Sequence, residues 1–202
     1  MSDIESREAL RSLYGPPLPI AERKVLPRLD RHCRNFIALS PFLVLASADG
    51  EGGVDASPRG DPPGFVQVLD DTTLLIPDRR GNNRLDSFQN VLTTPSVGLI
   101  FFVPGIGETL RVNGTAEVTT DPALLAASAV EGKVPTSGLR VTVTEVFFHC
   151  AKAVIRSKLW DASRHAEKGS FPSLGRIISD QTQADFEEVE QRTVEAYRTK
   201  LY

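Results

Sequence analysis

SPRGDPPGFVQVLDDTTLLIPDRRGNNRLD, residues 57–86, is the stretch whose reading decides the fold. A Pro/Gly-rich turn leads into a Val- and Phe-bearing segment, 64–70, and then into a compact apolar run, 73–77. That run ends in DRRGNNR, 78–84, and a helical pattern begins there. The order is strand, loop, helix. Arg79, Arg80 and Arg84 supply forked donors suited to phosphate oxygens. Asn82 and Asn83 add amide donors, and Gly81 admits close backbone approach. Asn83 is placed to cap a helix over 84–92, with Leu85, Phe88 and Leu92 on one face. The free N–H groups and positive dipole end of such a helix aim at the same spot. The stretch reads as an anion site; an exposed turn of solvated arginines is the bland alternative.

On either side the period is that of short strands. Residues 42–47 are an apolar run closed by Asp49-Gly50-Glu51-Gly52-Gly53, and 53–58 returns as the second arm of a hairpin. Residues 96–103 form a further strand, and Pro104-Gly105-Ile106-Gly107 turns the chain. Residues 109–120 alternate through Leu110, Val112 and Val118, with a bulge or bend expected at Gly114. Asp121-Pro122 is a cap followed by an N1 proline, 131–138 is loop, and 139–149 alternates again. Six or seven strands between 41 and 149, with two short helices among them, predict an antiparallel barrel or sandwich rather than a doubly wound sheet. No Walker loop or GxGxxG is present.

The flanks are helical. Ser2 and Glu5 have capping-box spacing for a helix over 2–14, stopped by Gly15-Pro16-Pro17. A second helix is expected over 20–29 despite Pro27, and a further turn over 31–39. Residues 150–160 read as helix, 163–172 as loop, and the chain from 183 as a helix with Phe186, Val189, Val194, Tyr197 and Leu201 as its apolar stripe. The expectation is a single unit over 1–202: a helical arm (1–38), a barrel core (39–156), and a C-terminal loop and helix (157–202).

With 202 residues, 41% hydrophobic and 24% charged, the chain has the composition of a globular domain. A net charge of −3 implies no general affinity for nucleic acid. The N-terminal MSDIESREALRS lacks the apolar centre of a secretory signal, and 97–104 is too short to span a bilayer. Cys33 and Cys150 make no disulfide framework, so a reduced cytoplasmic setting is the default.

An anion loop between strand and helix, set within an antiparallel barrel, resembles the pyridoxamine 5′-phosphate oxidase-like FMN-binding split-barrel superfamily. The resemblance spans about 39–156. SPFLVLASADGEGGVDASP is similar to its first hairpin, LLIPDRRGNNRLDSFQNVLTTPSVGLIFFV to its central signature, and GETLRVNGTAEV to the next strand. SPRGDPPGFVQVLDD and FFHCAKAVIRSKLW resemble a subgroup of FMN-dependent enzymes without a settled substrate. The resemblance implies a mainly β fold, a six- to seven-stranded antiparallel split β-barrel of Greek-key type with N- and C-terminal helices. It implies FMN as cofactor, held in the groove of a homodimer, and oxidoreductase chemistry on a small molecule. Asn82, Asn83 and Arg84 take the place of the phosphate grip, with Arg79 or Arg80 replacing a lost charge. Pro77 and Asp78 fall beside the ring and ribityl chain, Val66, Gln67 and Val68 along the isoalloxazine edge, and Thr109 where the other subunit contacts the ring. The Arg-x-His segment of true pyridoxamine phosphate oxidases is missing from the C-terminal VEAYRTKLY. A non-catalytic flavin-storing protein, a deazaflavin-dependent reductase and a haem-binding relative are the alternatives.

Four further residues are candidates. Arg59 precedes the flavin strand and faces the cofactor, a substrate anion or solvent. Lys152 and Arg156, four apart on one helical face, either meet the flavin's far edge or a substrate carboxylate, or are surface bases. Trp160 stacks near the flavin or packs in the core. His32-Cys33 and His149-Cys150 have no ligand spacing, so no metal is expected.

Overall fold

The computed structural model describes residues 4–202. Strands β1 (Phe42–Ala48), β2 (Val54–Gly60), β3 (Gln67–Val68), β4 (Thr73–Pro77), β5 (Ser96–Phe102), β6 (Thr109–Thr119) and β7 (Gly138–His149) form one sheet in the order β2-β1-β5-β6-β7-β4-β3. Every pairing is antiparallel. The end strands β2 and β3 do not pair, so the barrel is split rather than closed. Helices α1 (Arg7–Tyr14), α2 (Pro19–Arg23), α3 (Arg31–Leu39), α4 (Asp86–Thr93), α5 (Pro122–Leu125), α6 (Lys152–Ser157), α7 (Leu174–Thr182) and α8 (Phe186–Thr199) flank it. The mainly β split barrel expected from the sequence is the fold observed.

Strand alternation sends one set of side chains to the core. Leu43 and Leu45 of β1, Leu99 and Phe101 of β5, Leu110 and Val112 of β6, and Leu74 and Ile76 of β4 are buried together. Cys33, Phe36 and Ile37 of α3 and Phe88 and Val91 of α4 cover them. On β7 the inward set is Leu139, Val141 and Val143, then Val146. The change of phase comes from a bulge: Asn113 pairs with Glu145 and Gly114 with Val143, leaving Thr144 as the extra residue. The irregularity falls at Gly114, as its glycine implies, and the reason is steric. A Cβ there would land on the Thr142 carbonyl.

Several boundaries differ from expectation. The strand expected over 64–70 contracts to Gln67–Val68. Gly64, at φ 83°, closes a turn in which the Phe65 N–H donates to Pro62, and Asp70 accepts from the Thr72 N–H, so both ends curl away from the ladder. The helix expected over 20–29 stops at Arg23. Pro27 follows, and Leu26 instead exchanges both backbone hydrogen bonds with Val146 beside β7. The expected cap at Ser2 lies outside the described residues; Ser6 caps α1 by accepting from the Ala9 N–H at 3.1 Å. Helix α6 is confined to Lys152–Ser157 because Lys158 turns left-handed. Ser173 opens α7, which the sequence reading missed.

Of the apolar stripe expected on the last helix, Phe186, Val189, Val194 and Tyr197 lie on α8 and Leu201 beyond it; Phe186 and Val189 are half-buried, Val194 and Tyr197 exposed. This helix instead pairs with α7. Arg176 lies 4.3 Å from the centroid of the Phe186 ring, and Ser173 Oγ donates to Glu190 at 2.7 Å. No helix among the described residues is long and apolar enough to cross a membrane.

Candidate functional site

The DRRGNNR loop joins β4 to α4, and it bounds a cleft of about 1070 Å³. One wall is the loop itself, with Asp78, Arg80, Asn82, Asn83 and Arg84. A second is the end of β2, with Ser57, Pro58 and Arg59. The third is the 133–137 segment, together with Tyr202. The sequence-predicted anion loop and Arg59 are therefore brought together, although about twenty residues separate them along the chain.

The loop is shaped by left-handed residues. Asn83 has φ 61° and Leu85 φ 59°. Asn82 Oδ1 accepts from the Arg84 N–H at 3.1 Å. Asn83 does not cap the helix as expected: Leu85 is the cap residue, without a side-chain bond, and α4 begins at Asp86. The buried face of α4 is Ser87, Phe88 and Val91, whereas Leu92 is 77% exposed. The start of the helix is set by the fit of that face to the barrel, which overrides the local capping preference.

The arginines have different partners. Arg79 Nε donates to Asp61 Oδ2 at 2.5 Å and its terminal nitrogen donates to the Ser128 carbonyl at 2.9 Å. Tyr202 donates its hydroxyl to Asp61 Oδ1 at 2.8 Å, and the Arg79 guanidinium sits 5.5 Å from the Tyr202 ring centroid. Arg79 is thus tied into the wall. Arg84 pairs with Asp86 at 2.9 Å on the surface. Arg80 is exposed and forms no ion pair among the described residues. Arg59 donates to Ser87 Oγ at 3.4 Å, and Asp55 accepts from both Ser87 and Ser57. Lys133 lines the opposite side and donates to the main-chain oxygen of Tyr202 at 3.3 Å.

Asp78 is a half-buried carboxylate of the cleft. Burial pushes its pKa above the ordinary aspartate value, and the charges of Arg59 and Arg79 oppose that rise. Tyr202 is likewise raised, because its hydroxyl donates to Asp61.

The other predicted residues stand elsewhere. Val66 is core, Val68 packs against the core, and Pro77 is buried opposite Gly138. Gln67 joins the wall indirectly: its side-chain amide donates to Ser128 Oγ at 2.6 Å, on the residue whose carbonyl holds Arg79. Thr109 is buried opposite His149 and does not line the cleft. Lys152 and Arg156 are exposed on α6, away from the cleft lining. Trp160 donates its indole N–H to the Ile106 carbonyl at 2.8 Å, fixing the β5–β6 turn.

Sequence reasoning missed Lys133, Asp61 and Tyr202. Lys133 carried a signal: Val130 and Lys133 bridge across Glu131 and Gly132, both at positive φ, which is a two-residue hairpin turn marked by its glycine. Tyr202 carried none, because its partner is distant in sequence.

Comparison with known proteins fixes the class. The family described as Pyridoxamine 5′-phosphate oxidase matches residues 29–150, more than half of the chain. The chain belongs to that family. Similar solved structures include HupZ of Group A Streptococcus, 18% identical, with a TM-score of 0.49, covering 59% of this chain and 93% of that one. A putative pyridoxamine 5′-phosphate oxidase from Lactobacillus delbrueckii is 22% identical, with a TM-score of 0.46 over 60% and 95% of the two chains. The FAD binding protein from Mycobacterium smegmatis is 16% identical, with a TM-score of 0.42 over 61% and 97%. No curated protein matches.

Proposed function

We propose that the cleft binds FMN through its phosphate and that the chain is a homodimeric FMN-dependent oxidoreductase of a small substrate. The observation that carries this reading is the convergence of Arg59, Arg80, Arg84 and Lys133 on one cleft at a strand–loop–helix junction, in a chain of the pyridoxamine 5′-phosphate oxidase family. The donor set suits the group. Guanidinium forks and an ammonium match a phosphate dianion. The first turn of α4 adds free N–H groups, since no side chain caps it. Two carboxylates oppose this, Asp86 and Asp78, of which Asp86 is paired to Arg84 and Asp78 has raised proton affinity.

Bound FMN supplies the redox chemistry. The chain's own part is to hold and orient. Pro58, Phe88, Val134 and Pro135 give the cleft apolar surface that excludes water. Burial raises the proton affinity of Asp78 where it lines the cleft. Arg79 shapes the wall through Asp61 rather than gripping the phosphate.

The outer sheet face supports the homodimer. Phe42 pairs with Phe102 and Val44 with Ile100, and all four are half-buried or exposed on the face opposite α3 and α4. A second copy covering that row buries apolar surface that one chain leaves in water. In such a dimer Thr109 and the α6 residues Lys152 and Arg156 meet the partner's cofactor, while Val66, Gln67, Val68 and Pro77 back the cofactor of their own subunit.

Titration with FMN, followed by flavin fluorescence, tests the reading. Saturable binding weakened by Arg84→Ala is expected. No binding to the wild-type chain overturns it.

A further inference from the structure

A second cluster, none of whose residues lines the cleft, lies on the outer face where β6 meets β7. Lys24, just past α2, donates from Nζ to the Phe148 carbonyl at 2.6 Å and stands 5.3 Å from the centroid of the Phe147 ring. Arg111, the cross-strand partner of Phe147, places its guanidinium 5.3 Å from the same centroid and donates from Nε to Asn113 Oδ1 at 3.2 Å. His149 follows on the same side of β7, its ring 5.0 Å from that of Phe147. Two cations and an imidazole are therefore held around one ring.

Each cation is tethered to a neutral acceptor, not to a carboxylate. Glu145 of β7 is engaged by Asn113 Nδ2 at 2.7 Å. Glu22 of α2 and Glu108 beside β6 form no ion pair with Lys24 or Arg111 among the described residues. Neither Lys24 nor Arg111 is ion-paired among the described residues, and Glu145, the carboxylate on the same face, is linked to Arg111 only through the Asn113 amide. His149 is held below its ordinary pKa by burial and then by Arg111 and Lys24. Cys150 is held below its own, first by a hydrogen bond from the Lys152 backbone and further by the charges of Lys152 and Lys24. Fixed like charges that repel one another become favourable when an anion sits among them.

We propose that Lys24, Arg111 and His149 form a binding site for the carboxylate or phosphate group of a small ligand. The guanidinium offers a fork, the ammonium a point charge, and the imidazole a donor that gains its second proton when the anion arrives.

The test is the titration midpoint of His149, followed by NMR on the full chain and assigned with His149→Asn. It is measured in chloride, acetate and sulfate at equal ionic strength, sulfate standing for phosphate because it does not titrate in this range. The His32 and His165 signals report any general salt effect. The expected result is a midpoint at least about half a pH unit higher in acetate or sulfate than in chloride, equivalent to about threefold tighter anion binding to the imidazolium. A rise in acetate alone identifies a carboxylate site, and a rise in sulfate alone a phosphate site. Arg111→Gln, or Lys24→Gln should the first variant not fold, is expected to abolish the difference between salts. Equal midpoints in all three salts overturn the proposal. So does a salt difference that survives in both variants.

Discussion

Arg79 Nε meets Asp61 Oδ2 at 2.5 Å, and the Asp61 side chain is only 2% exposed. The pair sits behind the anion loop, where Tyr202 donates to the other carboxylate oxygen. Cutting Arg79 to alanine leaves a carboxylate buried and unpaired, which is expected to cost about 3–5 kcal/mol of stability. Tyr202→Phe removes one hydrogen bond and is expected to cost about 1 kcal/mol. Urea unfolding of the two variants compares them; equal losses would mean that Arg79 is not the wall's anchor.

Arg84 behaves in the opposite way. Its side chain is 73% exposed and its pair with Asp86 is a surface one. Arg84→Ala is expected to change stability by less than about 1 kcal/mol. The same variant is expected to weaken FMN by about 1–3 kcal/mol, the loss of a charged hydrogen bond. Stability and affinity measured side by side separate the two arginines, and a large stability loss in this variant would refute the division of labour.

Gly114 and Gly81 make a matched pair. A Cβ at Gly114 collides with the backbone of β7, while at Gly81 the nearest atom is the Arg79 carbonyl oxygen at 3.9 Å. Gly114→Ala is expected to cost more than about 2 kcal/mol, through displaced backbone at the bulge. Gly81→Ala is expected to be within about 0.5 kcal/mol of wild type. Thermal unfolding checks both, and a tolerated alanine at 114 would contradict the bulge geometry.

The two cysteines differ in burial and in acidity. Cys150 is exposed, and the Lys152 backbone N–H lowers its pKa. Cys33 is buried, and burial pushes it from 9.0 up to about 11. A thiol reagent at neutral pH is expected to label Cys150 alone, with Cys33 reacting only on unfolding. A thiol with a raised folded-state pKa ionises more easily when unfolded, so the contribution of Cys33 is intact below pH 9.0 and lost as pH rises toward about 11. Peptide mapping reads the labelling; modification of Cys33 in the native chain would show that α3 opens.

Strand β4, the glycine at the bulge and the Asp121 cap with its N1 proline were legible in the sequence because each follows from a local rule. The left-handed Leu85 was not, because no local preference puts leucine there. It is imposed by the seating of Phe88 and Val91 against the barrel. The cations of the anion loop were visible, but not which of them is free. Arg79 looks like Arg80 until Asp61, eighteen residues earlier, and Tyr202 are brought beside it. Long-range contacts of that kind leave no periodicity to read.

The proposed function stands on FMN in this cleft. Native mass spectrometry of the chain as purified, paired with its visible absorption spectrum, tests it most directly. A dimer carrying one FMN per subunit and the absorbance of oxidised flavin is expected, with the bound fraction reduced in Arg84→Ala. A colourless chain that takes up no added FMN would contradict it.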